Sequence, residues 1–369
     1  MVKIHKITTD DGFIGLKDQW NELLSQSNND NIFLTWEWLY SWWEVFKEKR
    51  ELFILLVKEN EEIIGIAPLL LRKICYFRLL NYNRLEFIAS GEEERDEICS
   101  EYLNFIIKKG KEKEVIGCLV DYFKVNKTWD EIVLKELLAE NINTVILRQQ
   151  LTNSGVSNKC EKDGVAYYIE LPKTWDELVT GLSSNFRYKL KRDRKRLSSM
   201  AQVEVRTIEK KEDLSMAFSI FIDLHEKRWS AEGEQGCFRS EKFKQFHGKV
   251  MRNLFDKKQV RLIFLDVNKK PVAAFYDLIY KGKVLFYQAG LDLECYPKLG
   301  VGNILRGYSI QKAVEGNAAE YDFLKGENKR HCKEWATVTR DIITIRILKN
   351  KLRYALFCIF RKIKEKIKR

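Results

Sequence analysis

The chain has 369 residues, enough for two domains with sizeable cores, and its 45% hydrophobic and 12% aromatic content excludes a wholly disordered protein. Four prolines, no low-complexity block and no run near the roughly 20 apolar residues of a membrane-spanning helix point to compact packing without a transmembrane segment. The formal charge of +12 is uneven: from Arg346 to Arg369 ten Lys or Arg stand against one acid, Glu365, so the rest is nearly balanced and no nucleic-acid-binding core is implied.

In chain order, MVKIHKITTDDGF lacks the apolar core of a secretion signal, which predicts a cytoplasmic chain. FLTWEWLYSWWEVF (Phe33–Phe46) sets Leu34, Trp38, Trp42 and Val45 at helical spacing, and its rings are expected in a core. LVKENEEIIGIA (Leu56–Ala67) reads as strand, polar turn, strand, and LDVNKKPVAAFY (Leu265–Tyr276) repeats the pattern 208 residues later. Val57 then matches Leu265, Asn60 matches Asn268 and Ile64 matches Val272, an echo that points to two units in tandem. TWDEIVLKELLAENINTVILR (Thr128–Arg148) reads as helix and strand, and the polar stretch Gln149–Gly164 as a linker or exposed crossing. VAYYIEL follows as a strand, and KTWDELVTGL starts a helix with Thr174 as cap and Glu177 at the capping-box spacing. The division expected is a domain over 1–150, a linker 151–163, a domain over 164–344 and a tail over 345–369.

SSNFRYKLKRDRKRL (Ser183–Leu197) carries a dense set of basic residues with Asp193 alone opposing them. On a helix Arg187, Lys191 and Arg194 share one face while Phe186, Leu190 and Leu197 anchor another, which suits either an anionic ligand or a solvated face. LHEKRW (Leu224–Trp229) sets His225, Arg228 and Trp229 on about one helical turn, as a base near a substrate or as a packed His–Trp pair. Val284–Ala289 is a strand pattern, and Gly300 and Gly302 precede a helix with Ile304, Leu305, Tyr308, Ala313 and Val314 apolar. Asn317 closes that helix and Tyr321–Leu324 is the next strand. A glycine-flanked helix start leaves N–H groups free at the positive end of the dipole, so Gly300, Val301, Gly302 and Asn303 suit a phosphate or simply shape a tight connection. From Ile345 onward Leu348, Leu352, Leu356, Ile359, Ile363 and Ile367 recur every three or four residues among lysines and arginines. That is a basic amphipathic helix suited to an anionic membrane interface. Eight cysteines form no CxxC pair and four histidines are scattered, so the cysteines are expected as reduced core residues and no metal site is expected.

FYQAGLDLECYPKLGVGNIL followed by YDFLKG resembles the C-terminal half of the GNAT acyltransferase superfamily, in the branch grouped with CelD and BioF2-like acetyltransferases. Phe33–Phe46, Ser183–Leu197 and Leu224–Trp229 look like the same branch, so the resemblance runs from Phe33 to Trp335. It implies an α/β fold of mixed sheets, with two tandem GNAT-like domains plus the basic C-terminal helix. It also implies an acetyltransferase that takes acetyl-CoA, or another acyl-CoA, as cosubstrate at Gly300–Asn303, without a metal. The acceptor would be a small molecule or glycan, through an amine or hydroxyl, from cell-envelope polysaccharide or sugar metabolism. His225 is then the candidate base, Asp322 lies in the strand that opens the cofactor cleft, and Tyr287 is the candidate to protonate the leaving thiolate. Arg187, Lys191, Arg228, Trp229 and Gln288 are candidates for holding the acceptor, with Tyr287 and Gln288 on opposite faces of their strand. Two positions depart from the pattern. Pro297 stands first in the usual Q/R-x-x-G-x-G/A loop and has no amide proton, and GENKRHCKEW holds His331 and Lys333 where the branch often has a Tyr-Lys pair. The partners implied include the anionic inner face of a membrane through the tail, and exclude DNA. Transfer RNA enters only under an alternative, an aminoacyl transferase similar to the Fem peptidoglycan enzymes, which use a related tandem fold and aminoacyl-tRNA. A third reading is a non-catalytic membrane-surface component of exopolysaccharide assembly.

Overall fold

A computed structural model describes residues 2–77, 79–326 and 330–368. They form two compact units, Met1–Gly164 with Asp341–Arg369, and Val165–Arg340.

The first unit contains strands β1 (Val2–Ile7), β2 (Arg50–Leu52), β3 (Ile54–Glu59), β4 (Glu62–Ala67), β5 (Leu69–Tyr76), β6 (Leu80–Phe87), β7 (Ile106–Ile107) and β8 (Glu131–Leu138). Its helices are α1 (Asp10–Ile14), α2 (Lys17–Ser25), α3 (Trp36–Phe46), α4 (Glu112–Val125) and α5 (Ile142–Asn153). One sheet runs β1-β3-β4-β7, and β8, β6, β5 and β2 lie side by side in another. Thr35 starts α3 by accepting the Trp38 amide on its hydroxyl. Trp38 and Trp42 are wholly buried, and the Trp38 and Trp43 indole N–H groups donate to Ser100 (2.9 Å) and Asp10 (2.8 Å). Burying such rings is favourable when the polar edge keeps a partner.

Thr128–Arg148 reverses the expected order. Ile132, Val133, Leu134 and Leu137 are buried in strand β8, and the helix follows, capped by the Asn141 side chain on the Asn143 amide. The apolar run of β8 is short and buried, a pattern that periodicity does not separate from a helix. Residues 151–163 are the end of α5, a turn, and the first half of β9 (Asn158–Glu170), whose second half belongs to the second unit.

The second unit continues with α6 (Trp175–Gly181), α7 (Ser184–Met200), β10 (Val203–Thr207), α8 (Lys211–Ala231), α9 (Glu241–Phe255), β11 (Val260–Val267), β12 (Lys270–Tyr280), β13 (Lys283–Leu291), α10 (Val301–Glu315), β14 (Glu320–Lys325) and α11 (Arg330–Lys333). The strand order is β10-β11-β12-β13-β14-β9, and only β13 and β14 pair in parallel. Alternation divides the side chains. Phe275, Phe286 and Phe323 join a core with Phe186 and Leu190 of α7 and Ile304 and Leu305 of α10. Tyr276 and Tyr287 point the other way, against Phe221 of α8 and His247 of α9.

The tandem echo survives in backbone detail. The β3–β4 turn has Asn60 and Glu61 at φ 48° and 68°, and the β11–β12 turn has Asn268 and Lys269 at 50° and 63°. Two left-handed residues in a row are the hairpin turn that matches strand twist. Each hairpin also shifts register at the same place, between Val57 and Lys58 and between Leu265 and Asp266. Parallel pairing recurs as well, β6 with β8 and β13 with β14.

The chain returns to the first unit in β15 (Val338–Leu348), which pairs antiparallel with β8 from Ile342↔Leu138 to Leu348↔Glu131. Ile345 and Leu348 therefore belong to a strand, not to the tail helix, which is α12 (Lys351–Lys368). Ile343, Ile345 and Ile347 alternate as a strand while Ile345 and Leu348 also fit a helical step, and the β8 edge decides between them. The cysteines also differ from expectation. Cys332 is buried, whereas Cys75, Cys99, Cys160 and Cys295 are exposed.

Candidate active site

Strands β13 and β14 pair over Lys283–Leu285 and Glu320–Asp322, and beyond that β13 runs on to Leu291 beside β12, parted from β14. The loop after it delivers Gly300 as the N-cap of α10, with no side-chain cap and no acid in the first turn. The Val301 amide donates to Leu299 (2.9 Å), which leaves the next first-turn amides without an intrahelical acceptor. A β-carbon on Gly300 would meet nothing closer than 3.8 Å, so the approach to these amides is open. The corresponding helix of the first unit is different, because α4 carries Glu112 and Glu114 in its own first turn. The start of α10 has no acid of its own, while the buried Asp193 carboxylate of α7, paired with Arg192 at 2.8 Å, lies 3.8 Å from where a Gly300 β-carbon would stand.

One turn into α10, Arg306 is 5% exposed and lies 4.7 Å from the Phe286 ring centre and 5.9 Å from that of Phe323, between the two strands that part. Its Nη1 donates to Asn303 (3.2 Å), and its Nε is buried without a hydrogen-bond partner among the described residues. Burial pulls this guanidinium below its ordinary pKa. An anion at the start of α10 would relieve both costs, so the residues present fit a pyrophosphate even though Pro297 offers no donor. Arg306 escaped the sequence reading because a single arginine among apolar helix positions carries no periodic signal.

His225 is wholly buried in α8. Its Nε2 accepts the Trp229 indole N–H (3.0 Å), which assigns the proton to Nδ1, facing Glu226 Oε1 at 3.4 Å. Burial holds the imidazole below its ordinary pKa, with Glu226 and Gln288 acting in the opposite direction. His225, Trp229 and Gln288 are thus brought together, and Arg228 pairs along the helix with Glu232 (3.3 Å). Glu226, absent from the sequence reading, links His225 to a surface cavity of about 620 Å³ lined also by Asp223, Lys227, Ser230, Asp292 and Glu294. Lys227 is tied to Asp292 at 3.2 Å, so the lining is acidic on balance.

Tyr287 turns away from α10. Its hydroxyl lies 3.3 Å from Nε2 of His247, whose Nδ1 is 3.3 Å from the Tyr276 hydroxyl. Burial drives His247 well below its ordinary pKa and keeps it neutral between the two phenols. Asp322 is 1% exposed, accepts the Leu324 amide (2.7 Å) and lies 3.8 Å from Arg340. Since Leu324 has φ 61°, this carboxylate holds the bend in β14. On α7 the Arg187 guanidinium donates to the Thr180 carbonyl (3.0 Å) and Lys191 is exposed. Arg194 is stacked 4.0 Å over Tyr308 of α10 and 5.4 Å from Trp175. The basic face of α7 therefore adjoins α10 through Arg194.

The sequence profile of the acetyltransferase (GNAT) domain matches residues 184–333, which span α7, the β11–β14 sheet and α10. No curated protein matches the chain. Among solved structures the chain is similar to FemX (TM-score 0.66, 14% identity, covering 96% of this chain and 99% of that one). It is similar to L-PGS from Bacillus licheniformis (0.54, 9%, 93% and 96%) and to a protein of unknown function from Bacteroides thetaiotaomicron (0.54, 12%, 95% and 100%). At such identities the likeness is one of fold.

Proposed function

Because its second unit is a GNAT-type acyltransferase domain, we propose that this chain moves an acyl group from coenzyme A to an amine or hydroxyl on a sugar or cell-envelope precursor. The observation that carries the proposal is the start of α10, with no side-chain cap and no acid in its own first turn, above the parting of β13 and β14 and with Arg306 buried beneath it. Gly302 and Asn303 amides would hold the pyrophosphate, and Gly300 and Val301 shape the approach. The coenzyme supplies an activated thioester carbonyl. The acyl group is acetyl by the resemblance, and a larger one is the alternative.

An amine is the better fit for the acceptor, because the cavity beside α8 is lined by more carboxylates than cations and draws a protonated amine. Glu226 would take the proton that the nitrogen loses, with His225 Nδ1–H facing its Oε1 and Arg239 paired to its Oε2 at 3.3 Å. In this reading His225 acts from behind Glu226, Gln288 and Trp229 orient its ring, and Tyr287 returns a proton to the departing thiolate while neutral His247 orients the phenol. Asp322 keeps the strand bent, and Arg187, Arg228 and Lys191 are left to meet an anionic part of the acceptor.

Calorimetry with coenzyme A tests the proposal on Gly300→Asp. The β-carbon is accommodated and aspartate is a good N-cap, but Asp193 Oδ2 lies 3.8 Å from that β-carbon, so the like charge offsets the cap and stability should fall by about 1 kcal/mol at most. Its carboxylate occupies the anion's place, and affinity should fall at least about tenfold. Unchanged affinity would remove α10 from the cofactor site. Gly302→Glu is the poorer probe, since a β-carbon there would lie 3.2 Å from Leu291 Cδ1.

The second reading is Fem-like aminoacyl transfer. It is favoured by the likeness to FemX over nearly the whole of both chains. A thermal-shift comparison of acyl-CoAs with aminoacyl-tRNA separates the two, and stabilisation by charged tRNA alone would replace the first reading with the second.

A further inference from the structure

We propose that α12 is a docking surface for an anionic phospholipid bilayer, with one face fixed to the first unit and another left for the lipid. Phe357 is 1% exposed and packs with Tyr76 and Tyr82 of the β5–β6 hairpin, its ring stacked 4.1 Å from that of Tyr82. Arg353 adds an ion pair with Asp130 at 2.7 Å. The helix is thus anchored along one side. Leu352, Leu356, Ile359 and Ile363 are 78%, 50%, 52% and 44% exposed. At 100° per residue these four fall within about 60° of one another, on a side that does not contain Phe357.

The stripe does not end with the helix. Phe77 and Leu79, in the turn between β5 and β6, are 46% and 79% exposed, and Phe77 lies 6.2 Å from Phe360. Isolated exposed apolar residues are ordinary on a protein surface, whereas an aligned row continued by a neighbouring turn is not. Lys362 and Lys366 flank the row on one side and Lys364 on the other, all exposed. Lysines beside an aliphatic stripe can keep their ammonium groups at headgroup level while the stripe enters the acyl boundary. Two copies joined along this face would set like charges together, which disfavours a second copy as the occupant. Among the described residues no helix is long and apolar enough to cross a membrane, so the contact is with the surface.

The test is co-sedimentation of the full chain with vesicles of phosphatidylcholine alone and of phosphatidylcholine mixed with phosphatidylglycerol. The wild type should pellet with the mixed vesicles and remain in solution with the neutral ones, and added salt should weaken binding without abolishing it. Leu356→Glu/Ile359→Glu, at exposed positions, should keep the melting temperature and lose binding at least about tenfold. A wild type that ignores phosphatidylglycerol at low salt overturns the proposal. So does a double variant that still binds equally well, because the attraction would then bypass the stripe. A concentration-dependent dimer that the double variant abolishes, without vesicle binding, would assign the face to a second copy instead.

Discussion

At the scale of single residues, two buried histidines set an acid limit on the second unit. His225 and His247 both have pKa values held down by burial, so the unfolded chain takes up protons that the folded one refuses. Their contribution is complete above the ordinary imidazole value of about 6.5 and is lost as pH falls below it, by up to about 1.4 kcal/mol per pH unit for each. Urea titrations at pH 7.5 and pH 5.5 should show that loss, before carboxylate protonation dominates. His247→Gln should be less stable at pH 7.5 yet have a flatter pH slope; an equal slope would absolve His247. Of these residues only His225 was legible in the chain, through its spacing from Trp229. His247 meets Tyr287 forty positions away in sequence, and contacts of that span leave no local period. Glu226 was hidden for another reason, since a glutamate in a charged helix looks solvated until the loop beyond β13 closes the cavity around it.

Among elements, the sheet of the second unit is tied to α10 by a buried polar cluster. Arg261 of β11 donates to Asp277 of β12 (2.7 and 3.1 Å) and to Ser309 of α10 (2.7 Å), and the Ser309 hydroxyl lies 3.1 Å from that of Tyr321 in β14. Asp277 is wholly buried, and burial raises its pKa against the pull of Arg261. Asp277→Ala leaves the guanidinium without its counter-charge and should cost about 3–5 kcal/mol. Denaturant unfolding measures this, and a loss below 1 kcal/mol would mean that water replaces the carboxylate. None of the four residues stood out in sequence, although β11, β12, β13 and α10 were all readable from their apolar patterns. The hairpin turns were the clearest case, because the polar pairs Asn60-Glu61 and Asn268-Lys269 mark where the chain reverses in each hairpin. The order of strand and helix in Thr128–Arg148 was not readable, since only the β6 and β15 edges make Ile132–Leu137 a strand.

For the molecule as a whole, the first unit is discontinuous and the second is a single stretch of chain. A truncation at Thr344 therefore removes more than a tail. It takes away the β15 residues paired with Glu131–Leu134 and the Arg346–Glu131 ion pair, leaving a wholly buried glutamate with Arg84 alone. Ending the chain at Asn350 spares all of these and removes only α12. The longer form should melt several degrees above the shorter, which should be largely insoluble, because losing one partner of a buried pair costs about 3–5 kcal/mol. Equal melting temperatures would show that β15 is dispensable.

The pairing of β8 with β15 also imposes an order on synthesis. The edge of β8 is complete when Leu138 leaves the ribosome, but its partner begins at Ile342, about 200 residues later. At translation speeds of roughly 5–20 residues per second that edge waits on the order of 10–40 s, while the second unit is made in one piece between its two halves. An unpaired, apolar strand edge is a template for wrong partners throughout that interval. The nascent chain is therefore most exposed to aggregation in the half synthesised first, and a holdase that acts on it must bind before the second unit is finished and let go only after β15 has emerged.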